Sequence, residues 1–362
     1  MKKIMILANS SSGLYDFRND LVSELLKKYE VIASLPDDSK VKELSDEGVR
    51  VIHTDINRRG MNPIQDLKLY FSYRKLLRKE RPDAVLTYTI KPNVYGGYAC
   101  GRMKIPYIAT ITGLGTTFQK ENLLKKLVVM MYKAGLKKAS CVFFQNSENM
   151  KIFERNGIRG KDVRLVNGSG VNLDKHSVLE YPSDDGKVRF LYIGRNMKDK
   201  GTDELLAAAE HFKDNKDITF KLLGYNDGDY EQILKDHESK GMIELHGFDK
   251  DVTKHLKECN AVILPTYHEG MSNVLQEAAA SGRPVIATDI PGCREIFEEG
   301  ITGFGCRPRS AESLIEAIDR FLALTHDERV EMGLKGRKKV EKEFDRQLIT
   351  EEYAKAVDGL IG

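Results

Sequence analysis

The chain has 362 residues, 41% hydrophobic and 31% charged, with 30 Gly, 10 Pro and a formal net charge of +3. That length suits two domains, and the composition excludes collagen-like, low-complexity and wholly disordered chains. Five Cys, odd in number and without metal-finger spacing, read as free thiols in a reducing compartment.

The first apolar run, Ile4–Leu7, comes almost at once after Met1. No charged-then-apolar leader precedes it and no apolar run approaches the length of a membrane span, so a cytoplasmic protein is expected. Strands are predicted at Ile4–Leu7, Val31–Ser34, Val51–His53, Ala84–Thr87, Tyr107–Ile111, Cys141–Phe144 and Arg164–Val166. They are short, apolar and rich in Val and Ile, as buried parallel strands are. Helical stretches lie between them. Pro92 suits a first helical turn, and Asn146-Ser147 with Glu148 suits a helix start.

Asn167-Gly168-Ser169-Gly170 breaks the alternation, and the polar stretch Ser177–Lys187 is the best linker candidate. Strands resume at Phe190–Ile193, Phe220–Leu223, Ile243–Leu245, Ala261–Leu264 and Val285–Ala287, and the C-terminal stretch reads as helical throughout. The pattern predicts an α/β fold of two doubly wound, Rossmann-like parallel-sheet domains, 1–178 and 179–345, facing a cleft. Ligands of such sheets bind outside the carboxyl ends of the strands.

The net charge hides an asymmetry: +12 over residues 1–180 and −9 over the remainder. A basic front half points to an anionic surface or ligand, against the plainer reading of scattered solvating Lys. Two segments mix apolar, aromatic and basic residues as interfacial membrane helices do: Lys68–Arg81, and Asn122–Lys133 continuing to Lys137-Lys138. For Leu123–Met131 the expectation is mainly core packing with snorkelling Lys stems; Lys68–Arg81 stays open between the two readings.

The strongest chemical signal lies in the second half. Gly194-Arg195 closes a strand, and Lys200-Gly201 comes just before a helix expected near Thr202. Strand, cationic loop and helix N-terminus together suit a diphosphate. After Ala261–Leu264 come Glu269, Gly270, Met271, Ser272 and Asn273, then Glu277. With a helix expected from about Met271, both carboxylates can face one elongated ligand, Gly270 permits close backbone approach, and the N–H groups of Met271 and Ser272 are free for an oxyanion.

These residues resemble retaining glycosyltransferases of family 4, which have the GT-B fold: Gly-Arg, Lys-Gly, then Pro-x-x-x-Glu-Gly with a second Glu eight residues after the first. Leu264–Gly270, Glu277–Thr288, Pro291-Gly292-Cys293-Arg294-Glu295 and Gly300–Gly303 carry the match. The resemblance implies that Arg195 and Lys200 neutralise the donor diphosphate. It implies that Glu269, with Gly270, Met271, Ser272 and Asn273, meets the transferred sugar. Glu277 would hold the ribose hydroxyls, and Gly247-Phe248 would lie by the base. It also implies that the last helix, 346–362, returns to the first domain.

Thr87–Gly96 and Ile111–Gly115 resemble bacterial enzymes that build capsular, exopolysaccharide and N-glycan precursors on polyprenyl diphosphate, galactosyl- and N-acetylgalactosaminyltransferases among them. The implied donor is a UDP-sugar, with no metal or other cofactor. The implied partners are a polyprenyl-diphosphate-linked glycan and an anionic membrane surface, peripherally engaged at its inner face. Gly13, Arg18, Lys91, Asn93, Thr112 and Gly113 are the acceptor-side candidates. Many family members carry a His in the loop after Tyr107–Ile111; here that loop is Thr112-Gly113-Leu114-Gly115. No general base is therefore assigned, and His53 reads as an ordinary strand-end residue.

Other readings are an epimerase or phosphorylase on the same fold and a non-catalytic partner subunit. Asp227-Gly228-Asp229 matches a metal-binding Asp-x-Asp in letters but lies in a turn-rich loop, and Gly113-x-Gly115 lacks the third Gly of a dinucleotide fingerprint. Nucleic-acid binding is disfavoured, because the basic residues come without a reading motif.

Overall fold

A computed structural model describes residues 1–57, 62–114, 118 and 123–361. The chain divides into two compact units: Met1–Gly170 with the segment from Arg346 onward, and Val171–Asp345. The division falls before the expected boundary at 178, so Ser177–Lys187 lies inside the second unit.

The first unit is built on seven parallel strands: β1 (Lys3–Leu7), β2 (Glu30–Leu35), β3 (Arg50–His53), β4 (Ala84–Tyr88), β5 (Tyr107–Ile111), β6 (Cys141–Phe144) and β7 (Val163–Leu165). Their order is β3-β2-β1-β4-β5-β6-β7. Successive side chains point to opposite faces, so the central strands feed two cores. Ile4 and Ile6 pack with Leu14, Leu21 and Leu25 of the helix Ser11–Leu26 and with Ile349, Tyr353 and Val357 of the helix Arg346–Ile361. Met5 and Leu7 pack with Leu69, Tyr73 and Leu77 of the helix Pro63–Glu80 and with Tyr132 and Leu136 of the helix Leu123–Leu136.

The second unit has six parallel strands: β8 (Val188–Ile193), β9 (Ile218–Leu223), β10 (Glu244–Leu245), β11 (Ala261–Leu264), β12 (Val285–Thr288) and β13 (Gly303–Cys306), in the order β10-β9-β8-β11-β12-β13. The sequence reading missed β13, whose Gly-Phe-Gly-Cys lacks a strand-like apolar run. The glycine is there for space: a Cβ on Gly303 would stand 2.3 Å from the Val285 carbonyl oxygen.

Both sheets reverse strand order beside their first strand, between β1 and β4 and between β8 and β11. That is the topological switch point where ligands of doubly wound sheets bind. No helix among the described residues is long and apolar enough to cross a membrane. All five Cys are buried and unpaired with one another.

Candidate active site

The donor-side candidates all fall on the second unit, most of them on loops at the carboxyl ends of its strands. The loop after β8 carries Arg195 and Lys200. Tyr192, buried near the end of β8, donates a 2.8 Å hydrogen bond to the Arg195 carbonyl, and Arg195 is exposed. Lys198–Lys200 form a single tight 3-10 turn, and Gly201, at φ +73°, caps the helix Thr202–His211. The expected helix start at Thr202 is therefore found.

The loop after β11 is laced to the loop after β8. The Tyr267 N–H donates to the Asp199 carbonyl at 2.9 Å, and the Thr266 hydroxyl reaches the same oxygen at 3.3 Å. The Tyr267 hydroxyl donates to Glu204 on the helix after Gly201 at 2.8 Å. Burial, followed by the neighbouring Glu204 carboxylate, raises the Tyr267 phenol far above its ordinary range and keeps it a donor. The lacing brings Lys200 Nζ to 2.5 Å from Glu269 Oε1, with both side chains mostly buried. Two residues distant in the chain, singled out separately from the sequence, thus form one charged pair at the switch point.

The geometry corrects two expectations here. The helix is Asn273–Ala280 with Ser272 as its N-cap, so it starts later than the expected Met271, and Met271 lies with Glu269 and Gly270 in the loop before it. The Ser272 N–H is not free: it donates to the Gly292 carbonyl at 2.8 Å, while the Ser272 hydroxyl caps Leu275. The amide of Met271 has no hydrogen bond among the described residues. Gly292 presses against the loop, and a Cβ there would lie 2.8 Å from the Gly270 oxygen and 2.9 Å from the Glu269 oxygen. Cys293 is fully buried, and burial pushes its thiol well up.

Glu277 sits further along the helix, four-fifths buried, with His176 Nε2 at 3.9 Å. Sequence reasoning missed His176, because nothing local marks a residue that far away in the chain. Phe248, after β10, is half exposed and stacks on the exposed Tyr225 with centroids 4.7 Å apart and planes 8° from parallel. Gly247, at φ +59°, makes the turn before it, and its carbonyl accepts the Gly224 N–H. Asp227 caps its own turn by accepting the Gly228 N–H, and among the described residues no group of three or more His, Cys, Asp or Glu is placed to hold a metal ion.

The acceptor-side candidates fall on the first unit and do not form one set. Gly13 lies in the first turn of the helix Ser11–Leu26, and its carbonyl accepts Arg18 Nη1 at 2.9 Å. The Arg18 guanidinium lies 4.5 Å from the centroid of the Tyr88 ring. Lys91 is committed to a mostly buried ion pair with Asp66 at 2.7 Å. Asn93 is fully buried, accepting from Thr87 and donating to the Thr110 carbonyl, so its role is to tie β4 to β5 rather than to meet a ligand. Thr112 and Gly113 follow β5 and are partly exposed. Gly115 and Asn122 lie outside the described residues. His53 is exposed on the edge strand β3 and bonded to Asp55.

The sequence pattern of the family described as "Glycosyl transferases group 1" matches residues 178–339, and that described as "Glycosyl transferase 4-like" matches residues 3–146. The chain is a glycosyltransferase. The enzyme is 27% identical to the N,N'-diacetylbacillosaminyl-diphospho-undecaprenol alpha-1,3-N-acetylgalactosaminyltransferase of Campylobacter jejuni, over 99% of both chains. It is 25% identical to the UDP-Gal:alpha-D-GlcNAc-diphosphoundecaprenol alpha-1,3-galactosyltransferase of Escherichia coli, over 76% of this chain and 75% of that one. Among solved structures, Anabaena HepE in complex with UDP-glucose matches with a TM-score of 0.81 at 17% identity, over 99% of this chain and all of that one. The glycosyltransferase thus has the GT-B fold expected from its motifs.

Proposed function

We propose that this glycosyltransferase moves a hexosyl or N-acetylhexosaminyl group from a UDP-sugar to a polyprenyl-diphosphate-linked glycan, with retention of configuration, at an anionic membrane surface. The observation that carries the donor site is the Lys200–Glu269 pair at the switch point. The names of the C. jejuni and E. coli relatives support the lipid-diphosphate acceptor, and the UDP complexes of HepE support the donor class.

Breaking the sugar–phosphate bond sends its electron pair to the departing diphosphate and leaves positive charge on the sugar. In this reading Arg195, Lys200 and the N-terminus of the helix from Thr202 stabilise the former, as preorganised charge that needs no rearrangement during reaction. Glu269 positions the sugar and stabilises its positive charge. The acceptor hydroxyl forms the new bond on the leaving-group face, and its proton passes to a donor phosphate oxygen. No metal is required in this scheme.

Calorimetry with UDP, against GDP and with or without EDTA, tests the reading. Micromolar UDP binding that ignores EDTA is expected. Each charge-assisted hydrogen bond is worth about 1.5–3 kcal/mol, so Arg195→Ala with Lys200→Ala should weaken UDP at least ~100-fold. Unchanged affinity would move the donor site elsewhere. Glu269→Ala should abolish transfer from UDP-sugars while leaving the fold intact.

A further inference from the structure

We propose that His176 is a positioning residue for the donor nucleotide, acting through Glu277. The inference rests on the reading of Glu277 as the residue that holds the ribose hydroxyls. His176 is 7% exposed, and its Nε2 lies 3.9 Å from Glu277 Oε1. That separation is too long for a hydrogen bond and short enough for direct packing contact between the ring and the carboxylate.

The placement of the ring is built in. Asn172 turns the chain by accepting the N–H groups of Asp174 and Lys175 at 3.1 and 2.9 Å, and its carbonyl accepts the His176 N–H at 3.0 Å. The His176 carbonyl then accepts Arg337 Nη1 at 2.6 Å. The same nitrogen donates to the Ala280 carbonyl at 2.7 Å, on the last residue of the helix that carries Glu277. Arg337 is itself oriented by Glu341 at 2.6 Å. Further along, the Leu179 N–H donates to the Ser281 carbonyl at 3.2 Å, and Arg283 holds the Leu179 and Glu180 carbonyls. The segment from Asn172 to Glu180 is thus fastened to the end of the Glu277 helix.

With its backbone held this firmly and its side chain buried, His176 restricts the carboxylate beside it. A Glu side chain otherwise loses rotamer freedom when it engages a ligand, and prior ordering removes part of that cost. The Arg337 clamp aligns His176 with Glu277 specifically, since it joins the backbone of one to the helix end of the other.

The test is calorimetric binding of UDP and of 2′,3′-dideoxy-UDP to the full chain, for wild type, His176→Phe, His176→Gln and Glu277→Ala. Both His176 variants should weaken UDP roughly three- to tenfold while leaving dideoxy-UDP nearly unchanged. KM for the donor should rise with kcat at saturating donor preserved. Equal losses for both nucleotides, or no loss in either variant, would overturn the role of His176. If Glu277→Ala leaves the UDP to dideoxy-UDP ratio at its wild-type value, the ribose reading itself falls, and the inference with it. If Glu277→Ala collapses that ratio and the His176 variants do not, only the inference falls.

Discussion

Gly201 stands where two loops of the proposed donor site touch. Its φ is +73°, and a Cβ there would lie 2.1 Å from the Pro265 carbonyl oxygen. Left-handed backbone costs a non-glycine residue about 1–3 kcal/mol, and forced overpacking adds about as much. Gly201→Ala should therefore lower stability by about 2–6 kcal/mol and move Lys200 away from Glu269. Denaturant unfolding with UDP calorimetry checks both effects; a variant as stable as wild type that binds UDP normally would show that the two loops are not locked together. At this scale the residues of the proposed donor site are the ones that stand out by type and spacing: Arg195, Lys200, Glu269 and Glu277. What stayed hidden depends on three-dimensional closure. No spacing rule reveals that the Ser272 amide is taken by Gly292, that Asn93 is buried between Thr87 and Thr110, or that His176 lies beside Glu277.

Among the elements, three neighbouring helices of the first unit share an unusual surface. Tyr70 of Pro63–Glu80 meets Tyr98 of Gly97–Met103 with centroids 5.7 Å apart, and Gly97 of that second helix lies against the Gly135 carbonyl of Leu123–Leu136. Ile64, Leu67 and Phe71 on the first, Tyr98 on the second, and Leu123, Leu127 and Met130 on the third are large, apolar and at least 40% exposed. Leu123–Met131 was expected mainly in the core. Instead the helix buries Val128, Tyr132, Gly135 and Leu136 and turns those leucines outward. The sequence could not separate the two outcomes, because apolar residues occur on both faces of this helix. The three helices carry no exposed acidic residue: Asp66 is buried against Lys91 and Glu80 against Arg50. Apolar side chains set among Lys and Arg suit an anionic lipid surface. Each such cation near the bilayer is worth about 1 kcal/mol. Reversing Lys125, Lys126 and Lys133 to Glu should thus weaken binding to vesicles containing anionic lipid at least ~100-fold, read by sedimentation. Undiminished binding would remove these lysines from the docking surface.

Across the whole molecule, the chain leaves the first unit at Gly170 and returns to it at Arg346. The return is held tightly. Arg346 donates to the Gly170 and Asp16 carbonyls and pairs with Asp20 at 3.2 Å. Tyr353 lies 4.2 Å from the Phe143 ring centroid and is within 3.0 Å of the Thr110 hydroxyl, and Asp358 accepts from Lys28 and Tyr29. Ile349, Tyr353, Ala356, Val357 and Ile361 are all buried in the core that contains Ile4 and Ile6. At about 1.5–3 kcal/mol for each large apolar side chain, the helix contributes on the order of 10 kcal/mol, comparable with the net stability of a whole domain. Ending the chain after Asp345 should therefore unfold the first unit, although the lost residues lie beyond the second unit in sequence. The donor-side residues from Arg195 to Glu277 lie in Val171–Asp345, so they should survive the truncation. The expected result is rapid proteolysis within residues 1–170, retained UDP binding by calorimetry and no transfer to a lipid-linked acceptor. A truncated chain that resists proteolysis in its first unit would show that the helix covers a core already stable without it. Loss of UDP binding along with transfer would show that the donor site depends on the first unit.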